Sequence, residues 1–311
     1  MAGAGETLDN GHDPATGIPV ISLYGEKKKP SKEDLRDIDI LLFDIQDVGV
    51  RFYTYISTLA YVMEAAAQNG IPLVVLDRPN PNGFYIDGPV MEPEYVSFVG
   101  LHPVPIVYGM TIGEYALMVN GEGWLPGGIQ CELSVIRMTG YNRDELYRLQ
   151  VKPSPNLPGW EAVYLYPSLC LFEGTVVSVG RGTDFPFTVY GHPGLHSGSF
   201  VFTPRSMPWA MHPKFEGVQC TGQDLSGYAA EYQNIDKHLN LEWLISAWEE
   251  LGSDSSFFNP YFEKLAGTAS LRHQIMEGKS MEEIRAGWEP GLRNFKTIRK
   301  KYLLYDDFNP E

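Results

Sequence analysis

Apolar runs and helical patterns alternate along the first half of the chain. Residues 38–43 (IDILLF) form a run that is apolar except for Asp39 and rich in branched side chains, which is typical of a strand covered on both faces. The pattern predicts strands at residues 18–23, 38–45, 72–77, 105–107 and 133–136, and helices at residues 31–36, 54–68 and 111–119. Thr111 and Glu114 have the spacing of a capping box, and Gly70 lies just past a helix end. This alternation predicts an α/β fold with a mostly parallel sheet flanked by helices.

The pattern changes at residues 151–160 (VKPSPNLPGW). Three prolines and a glycine in these ten residues favour an extended segment, so we place a domain boundary there, between residues 1–155 and 156–311. Residues 185–227 are rich in proline, glycine and aromatic residues, which predicts short strands and loops. Further helices are predicted at residues 241–251, 280–286 (with a capping-box spacing at Ser280 and Glu283) and 291–302. A second, smaller α+β domain is therefore expected.

Polar residues follow the strand at 38–43 directly, in the stretch FDIQDVGVRFYTYIS (residues 43–57). Ligands of open α/β sheets bind beyond the carboxyl ends of the strands, so this stretch is expected to line a cleft. Its two carboxylates, one guanidinium and two phenols suit a hydroxyl-rich ligand: Asp44, Asp47, Arg51, Tyr53 and Tyr55. The structural alternative is that Asp47 caps the following helix and that Arg51 neutralises Asp44.

A second polar loop, DRPNPNG at residues 77–83, follows the strand at 72–77. Because the two strands resemble each other, their loops are expected to face the same cleft. Turn chemistry explains the prolines and the Asn-Gly pair. It explains Asp77 and Arg78 less well, so these two residues and Asn80 are further candidates for the site.

The third polar region is YPSLCLFEGTVVSVGRGTDFPF, residues 166–187. Glu173 follows an apolar run and precedes a glycine, which indicates a buried or cleft-facing carboxylate suited to general acid or base catalysis. The alternative is a structural ion pair between Glu173 and an arginine. Arg181 and Asp184 flank a tight turn in the same region.

His192 and His196 have the one-turn spacing of a zinc pair on a helix. Proline and glycine between them make a helix there unfavourable, so no metal site is predicted.

Composition narrows the function classes. The chain has 311 residues, of which 43% are hydrophobic and 20% charged, and its net charge of −15 argues against nucleic acid or an anionic membrane as a partner. No apolar stretch approaches the roughly twenty residues of a membrane span, and no signal peptide opens the sequence. Three cysteines without metal-ligand spacing include Cys170, which is expected in the core. No phosphate-binding loop and no GxSxG motif occur.

Several blocks together resemble one family: FDIQDVGVRFYTYISTL, VLDRPNPNG, GPV, YGMTIGEYA, SPNLP, YPSLCLFEGT, SVGRGTD and FKTIRKKYLLY. They are similar to the NamZ family of exo-acting β-N-acetylmuramidases, from about residue 17 to the C-terminus. The resemblance implies a Rossmann-like N-terminal domain, a smaller C-terminal domain and a cleft between them. It also implies release of N-acetylmuramic acid from the non-reducing end of peptidoglycan fragments in cell-wall turnover, without a metal or organic cofactor. A periplasmic or secreted location is expected by the same resemblance.

The beginning of the chain departs from this family pattern. Family members have two further strands and a loop reading SPEHG, whose glutamate is a candidate catalytic carboxylate, before the region that matches. This chain begins at MAGAGETLDNGHDPATG. We therefore expect an N-terminally truncated chain, with residues 38–43 or a neighbouring strand at an unpaired, hydrophobic sheet edge.

Within the resemblance, each candidate residue has an expected role. Glu173 is the leading catalytic carboxylate, with Asp44, Asp47 and Asp77 as further candidates. Arg51 and Arg181 suit the lactyl carboxylate of muramic acid, which a guanidinium binds through two parallel hydrogen bonds. The remaining candidate substrate ligands are Tyr53, Tyr55, Arg78, Asn80, Asn156, Asp184 and His192.

Two other functions compete with this hypothesis. One is a non-catalytic cell-wall sugar-binding protein that retains the cleft. The other is a nucleotide-sugar or NAD enzyme, which the missing phosphate-binding loop disfavours.

Overall fold

The computed structural model describes residues 9–231 and 237–308. Three parallel strands form the central sheet in the order β3-β4-β5, where β3 is Leu41–Phe43, β4 is Leu73–Leu76 and β5 is Leu133–Ile136. A separate antiparallel pair is formed by β1 (Gly11–His12) and β2 (Pro19–Val20). The parallel sheet, with helices between its strands, confirms the predicted α/β class.

Two helices connect the parallel strands, and both were predicted from the sequence. Helix α1 (Tyr55–Asn69) lies between β3 and β4, and α2 (Ile112–Gly121) lies between β4 and β5. Gly70 ends α1 in the left-handed region with a φ of 64°. The capping box of α2 is complete, because Thr111 Oγ1 accepts from the Glu114 backbone N–H and the Glu114 carboxylate accepts from that of Thr111.

The C-terminal half contains an antiparallel sheet and most of the helices. The sheet has the order β6-β8-β7, from β6 (Val189–His192), β7 (Phe200–Phe202) and β8 (Cys220–Asp224), in the region predicted to hold short strands. The helices are α3 (Trp160–Leu169), α4 (Ser226–Glu231), α5 (Glu242–Glu250), α6 (Phe262–Ala266), α7 (Ser270–Met276) and α8 (Met281–Arg299). The boundary at residue 155 remains a prediction.

One continuous apolar cluster joins the two halves of the molecule. It includes Val75 from the parallel sheet, Leu171 from the turn after α3 and Phe262 from α6, all of which are buried. The cysteines Cys131, Cys170 and Cys220 are unpaired and buried, as expected for Cys170. Since core residues come from both halves, their relative placement is fixed by packing as well as by the connecting segment.

Four predicted elements are clearly wrong or shortened, and one of them is the strand predicted at residues 38–45, which is reduced to the three residues of β3. Residues 31–36 form turns instead of a helix, because the Asp34 carboxylate accepts from the Ser31 backbone N–H and six residues are too few to sustain a helix alone. Residues 105–107 form no strand; only Val107 makes isolated antiparallel bridges, to Val50 and Asp87. The strand predicted at 18–23 is reduced to the two residues of β2.

Helix α8 replaces two predicted helices with one. It runs without interruption through Pro290, and its capping box at Ser280 and Glu283 is present as predicted. Four buried side chains recur at helical spacing along it: Ile284, Trp288, Leu292 and Phe295. Burial of this stripe outweighs the interior proline, which local sequence rules treat as a helix stop.

The parallel sheet ends in a hydrophobic edge strand. β3 pairs with β4 and with no other strand in the described part of the chain. Leu42 on this strand is 65% exposed and the preceding Ile40 is 51% exposed. The expected unpaired, apolar edge is therefore present in the structure.

No helix within residues 9–231 and 237–308 has the length and apolar character required to cross a membrane.

Candidate active site

Three adjoining cavities form a cleft beside the ends of β3 and β4. The first, the aspartate groove, has a volume of about 400 Å³ and is lined by Asp44, Gln46, Tyr55, Arg78, Lys152 and Pro153, among others. The second, the tyrosine cavity, has about 310 Å³ and shares Tyr55 and Pro153 with the groove. The third, the glutamate cavity, has about 650 Å³ and contains Glu173. Tyr24, Tyr166 and Arg181 line both the tyrosine and the glutamate cavity, so these two meet at those side chains.

Glu173 lies on a short 3-10 turn, Cys170–Gly174, that continues α3. Gly174 is required there, because a Cβ atom at this position would lie 2.5 Å from the Phe262 Cα. The Glu173 Oε2 accepts a hydrogen bond from Arg181 Nε at 3.1 Å. The side chains of Glu173 and Arg181 are 23% and 28% exposed, so the pair is accessible from the cleft.

Polar side chains hold the backbone of the Glu173 segment. The ammonium group of Lys214 donates to four carbonyl oxygens, those of Phe172, Glu173, Thr175 and Val177, at 2.7 to 3.4 Å. Burial lowers the pKa of Lys214, and the nearby charge of Glu173 opposes this shift. Glu173 therefore projects from a backbone that is fixed on one side by a cation.

Arg181 lies between two glycines in a turn whose backbone conformation favours glycine on both sides. Gly180 and Gly182 have φ angles of 75° and 79°, and a Cβ at Gly182 would lie 2.5 Å from the Arg205 carbonyl oxygen. The Arg181 guanidinium stacks 5.0 Å from the centre of the Phe187 ring. Burial opposes its charge, yet the adjacent Glu173 carboxylate raises the pKa of Arg181 overall. A charged guanidinium is therefore held where the two cavities meet.

The tyrosine cavity brings together three predicted ligands. Tyr53 donates from its hydroxyl to the Pro153 carbonyl oxygen at 2.6 Å, and its ring contacts that of Tyr55 edge to face. Burial raises the pKa of both phenols, so both remain neutral at physiological pH. Asn156 donates from Nδ2 to the Trp209 carbonyl oxygen. Neutral phenols and an amide beside a guanidinium suit hydroxyl, amide and carboxylate groups.

Asp44 and Arg78 pair at the edge of the aspartate groove. The Arg78 Nε donates to the Asp44 Oδ1 at 2.6 Å, and both side chains are more than 40% exposed. The structure therefore brings these two predicted residues together, next to the tyrosine cavity.

Arg51 lies inside the protein and lines none of the three cavities. Its side chain is 0% exposed, and its guanidinium donates to four carbonyl oxygens, those of Pro89, Val104, Leu265 and Ala266. Burial lowers the pKa of Arg51 to about 9, which leaves the group charged at neutral pH. This placement corrects the expected contact with a substrate carboxylate, and it also excludes the alternative that Arg51 neutralises Asp44.

Asp47 is buried below the same loop. Its Oδ2 accepts hydrogen bonds from the Gly49 backbone N–H and from the Tyr108 hydroxyl. Burial raises the pKa of Asp47 to about 6. Asp47 is 5% exposed and shapes the loop from within, so it does not reach the cleft in this structure. It does not cap α1 either, because the N-cap residue of that helix is Thr54 and the hydrogen bonds of the Asp47 carboxylate go to Gly49 and Tyr108.

Asp77 and Asn80 also belong to the scaffold. The Asp77 carboxylate accepts from the Thr111 hydroxyl, the Gly113 backbone N–H and the Tyr305 hydroxyl, at 2.7 to 2.8 Å. Asn80 donates from Nδ2 to the Met110 carbonyl oxygen at 2.7 Å. These contacts attach the second polar loop to the start of α2, where a carboxylate also complements the helix dipole.

Asp184 and His192 lie outside the three cavities. Asp184 is exposed at the end of the turn that carries Arg181. His192 is the last residue of β6, and its Nδ1 accepts from the Gly194 backbone N–H at 2.9 Å. Burial lowers the pKa of His192. No group of three or more His, Cys, Asp or Glu side chains in the described ranges could hold a metal ion.

Sequence reasoning missed five residues that line or fix the cleft: Tyr24, Tyr166, Trp209, Lys214 and Tyr261. Tyr166 opens the YPSLCLFEGT block, so its place in a distinctive block was an available signal. Trp209 lies in the proline-flanked sequence PWAMHP, where a large aromatic residue in a stiff loop is a second signal. Nothing in the local sequence indicated Lys214.

Two family models match the chain over most of its length. The N-terminal model of exo-β-N-acetylmuramidase NamZ matches residues 1–161, and the C-terminal model matches residues 164–305. The chain belongs to the NamZ family. The peptidoglycan β-N-acetylmuramidase NamZ of Bacillus subtilis (strain 168) is 42% identical over 323 residues, which cover 98% of this chain and 76% of that protein.

Solved structures show the same fold. A DUF1343 family protein from Bacteroides fragilis NCTC 9343, with a crystal structure at 1.30 Å resolution, is 48% identical and superposes with a TM-score of 0.89. A second DUF1343 family protein from the same strain is 29% identical with a TM-score of 0.77. Each comparison covers 95% of this chain and 82% of the other.

Proposed function

We propose that this protein is an exo-acting glycoside hydrolase that releases N-acetylmuramic acid from the non-reducing end of peptidoglycan fragments. The observation that carries the proposal is the accessible Glu173–Arg181 pair in the cleft of a chain 42% identical to a peptidoglycan β-N-acetylmuramidase. Its substrates are muramyl saccharides derived from peptidoglycan, and its role is in cell-wall turnover.

Glu173 supplies the proton transfer in this proposal. Glycosidic cleavage needs a carboxyl group that protonates the leaving oxygen or activates water, and Glu173 is the predicted carboxylate that lines the glutamate cavity. Of the three aspartates first considered beside it, Asp44 is the exposed one, whereas Asp47 and Asp77 are buried. Asp44 is therefore the accessible one of these three candidate catalytic carboxylates.

Arg181 binds the lactyl carboxylate that distinguishes muramic acid from other amino sugars. Its Nε donates to Glu173, and the terminal nitrogens of the same guanidinium can donate to a second carboxylate. The phenols of Tyr53 and Tyr55 and the amide of Asn156 bind sugar hydroxyl and acetamido groups in the tyrosine cavity.

We also propose that the protein acts in the periplasm or after secretion, because peptidoglycan lies outside the cytoplasmic membrane. Fractionation of producing cells tests this: activity recovered only with a cytoplasmic marker enzyme would contradict it.

The test of the activity uses a muramyl-glucosaminyl disaccharide and the same disaccharide extended at its reducing end. Mass spectrometry and reducing-end labelling should show free N-acetylmuramic acid released from the non-reducing end in both cases, without added metal. Binding of the disaccharide without turnover would instead support the non-catalytic sugar-binding protein.

A further inference from the structure

The loop at residues 205–213 (RSMPWAMHP) forms one wall of the glutamate cavity. Trp209 lies at its tip, half-buried, and lines the cavity together with Met211 and His212. An indole ring offers a broad, flat apolar face, and the C–H faces of pyranose sugars pack on such surfaces.

Hydrogen bonds hold this loop at its start, in its middle and directly after its end. The Arg205 backbone N–H donates to the Gly182 carbonyl oxygen at 2.8 Å, and Met207 and Ala210 exchange two backbone hydrogen bonds. The Trp209 carbonyl oxygen accepts from Asn156 Nδ2, and Lys214 at the end of the loop holds the carbonyls around Glu173. The Trp209 backbone is thus fixed relative to both Arg181 and Glu173, which an aromatic binding platform requires.

The positions of Arg181 and Glu173 decide which part of the substrate meets this wall. Arg181 lines both cavities, whereas Tyr53 and Asn156 line only the tyrosine cavity, so a terminal sugar held by all three occupies the tyrosine cavity. Its glycosidic bond then lies where the two cavities meet. Glu173 is 3.1 Å from Arg181 at that junction. The sugar on the other side of the bond must then extend into the glutamate cavity, towards Trp209.

We propose that Trp209 is a specificity-determining residue that stacks on the leaving sugar, the residue joined to C1 of the terminal N-acetylmuramic acid. This inference rests on the proposed function. It assigns the glutamate cavity to a second pyranose ring, so the enzyme prefers substrates with a sugar aglycone over those with a small one.

The experiment compares two substrates of the intact protein: the muramyl-glucosaminyl disaccharide and the methyl β-glycoside of N-acetylmuramic acid. Trp209→Ala should lower kcat/KM for the disaccharide by about 10-fold, chiefly through KM, because the stacking contact is lost. The same variant should hydrolyse the methyl glycoside at the unaltered rate, since no second ring is present. As a matched control, Phe185→Ala removes an exposed ring that lines none of the three cavities, and should change neither value.

Equal losses for both substrates would make Trp209 a structural residue and overturn the inference, as would an unchanged disaccharide rate. If Trp209→Ala does not fold, Trp209→Phe and Trp209→Leu decide: Phe should retain a higher kcat/KM for the disaccharide than Leu, and equal values overturn the inference. An unaltered protein that cleaves neither substrate would refute the proposed function itself, which is a separate result.

Discussion

Two polar regions follow apolar runs in this chain, and the structure uses them differently. In the first, residues 43–57, Asp47 and Arg51 are buried beneath the loop. In the second, residues 166–187, Glu173 and Arg181 face the cleft and pair with each other. The two regions look alike in sequence, so the density of charged residues after an apolar run does not by itself locate a site.

The two arginines show the physical difference most clearly. Arg51 donates only to backbone carbonyl oxygens, two of them from the Leu265–Ala266 end of α6. Arg181 is paired with a carboxylate at the cavity junction and remains partly exposed. A guanidinium whose terminal nitrogens donate to buried carbonyl oxygens holds distant segments together, whereas one with exposed nitrogens can bind a ligand.

The largest expected effect is on Glu173. Glu173→Gln keeps the shape of the side chain but removes its titratable proton, so kcat should fall about 10²- to 10⁴-fold with a smaller change in KM. Release of N-acetylmuramic acid from the disaccharide is the measurement. Glu277→Gln, an exposed site outside the three cavities, is the control. If Glu173→Gln turned over at the unmodified rate, Glu173 would be a structural residue, and Asp44 of the first polar region would become the leading catalytic candidate.

Arg51→Met should lower stability rather than substrate affinity. The change removes the guanidinium donor from four buried carbonyl oxygens, of which the Val104 oxygen still accepts from the Met91 backbone N–H, and the free energy of unfolding should fall by about 3 kcal/mol. Urea unfolding measures the loss, and KM of the remaining folded protein should be unchanged. A stable Arg51→Met protein with a raised KM would return Arg51 to the binding site.

The pH dependence of stability tests the burial of Asp47. Its folded pKa of about 6 lies above the ordinary value of roughly 3.9, so the folded state binds the proton more tightly. The contribution of Asp47 to the free energy of unfolding is therefore fully present below about pH 4. It falls by about 3 kcal/mol as the pH rises from about 4 through 6. Asp47→Asn should remove this part of the pH dependence in unfolding measurements between pH 4 and 7. If Asp47→Asn and the unaltered protein showed the same dependence of unfolding free energy on pH, the pKa of Asp47 would not be raised in the folded state.

The smallest of these effects concerns Arg181. Lysine cannot form the two parallel hydrogen bonds of a guanidinium, so Arg181→Lys should raise KM for the disaccharide about 10-fold. Its stability should change by less than about 1 kcal/mol, because the Glu173–Arg181 pair is partly exposed. A loss of stability as large as that of Arg51→Met, with KM unchanged, would remove the contrast between the two arginines.

Part of the site could be predicted from the sequence because it rests on local features. Glu173, Arg181, Tyr53, Tyr55 and Asn156 all line the cleft, and each lies in a block that the family resemblance includes. Their roles in catalysis and binding remain predictions. Arg51, Asp77 and Asn80 were placed in the site by the same reasoning, and they lie in the scaffold because other segments cover them.

Some elements of the fold could also be predicted from local sequence, and others could not. Capping boxes at Thr111 and Ser280, and the glycine after α1, involve residues within three or four positions, so sequence alone predicted them. The uninterrupted helix α8 was not predicted, because burial of its apolar stripe outweighs the local effect of Pro290.

The sequence by itself determined the family, the α/β class and the helix ends at Gly70, Thr111 and Ser280, since these follow from patterns and capping contacts within a few residues. Only the tertiary structure decided which charged groups reach the cleft. The carbonyls of Leu265 and Ala266 lie more than 200 positions from Arg51, and Tyr305 lies 228 positions from Asp77. A side chain becomes a ligand or a structural residue according to what covers it, and for Arg51 and Asp77 part of the covering groups comes from the opposite end of the chain.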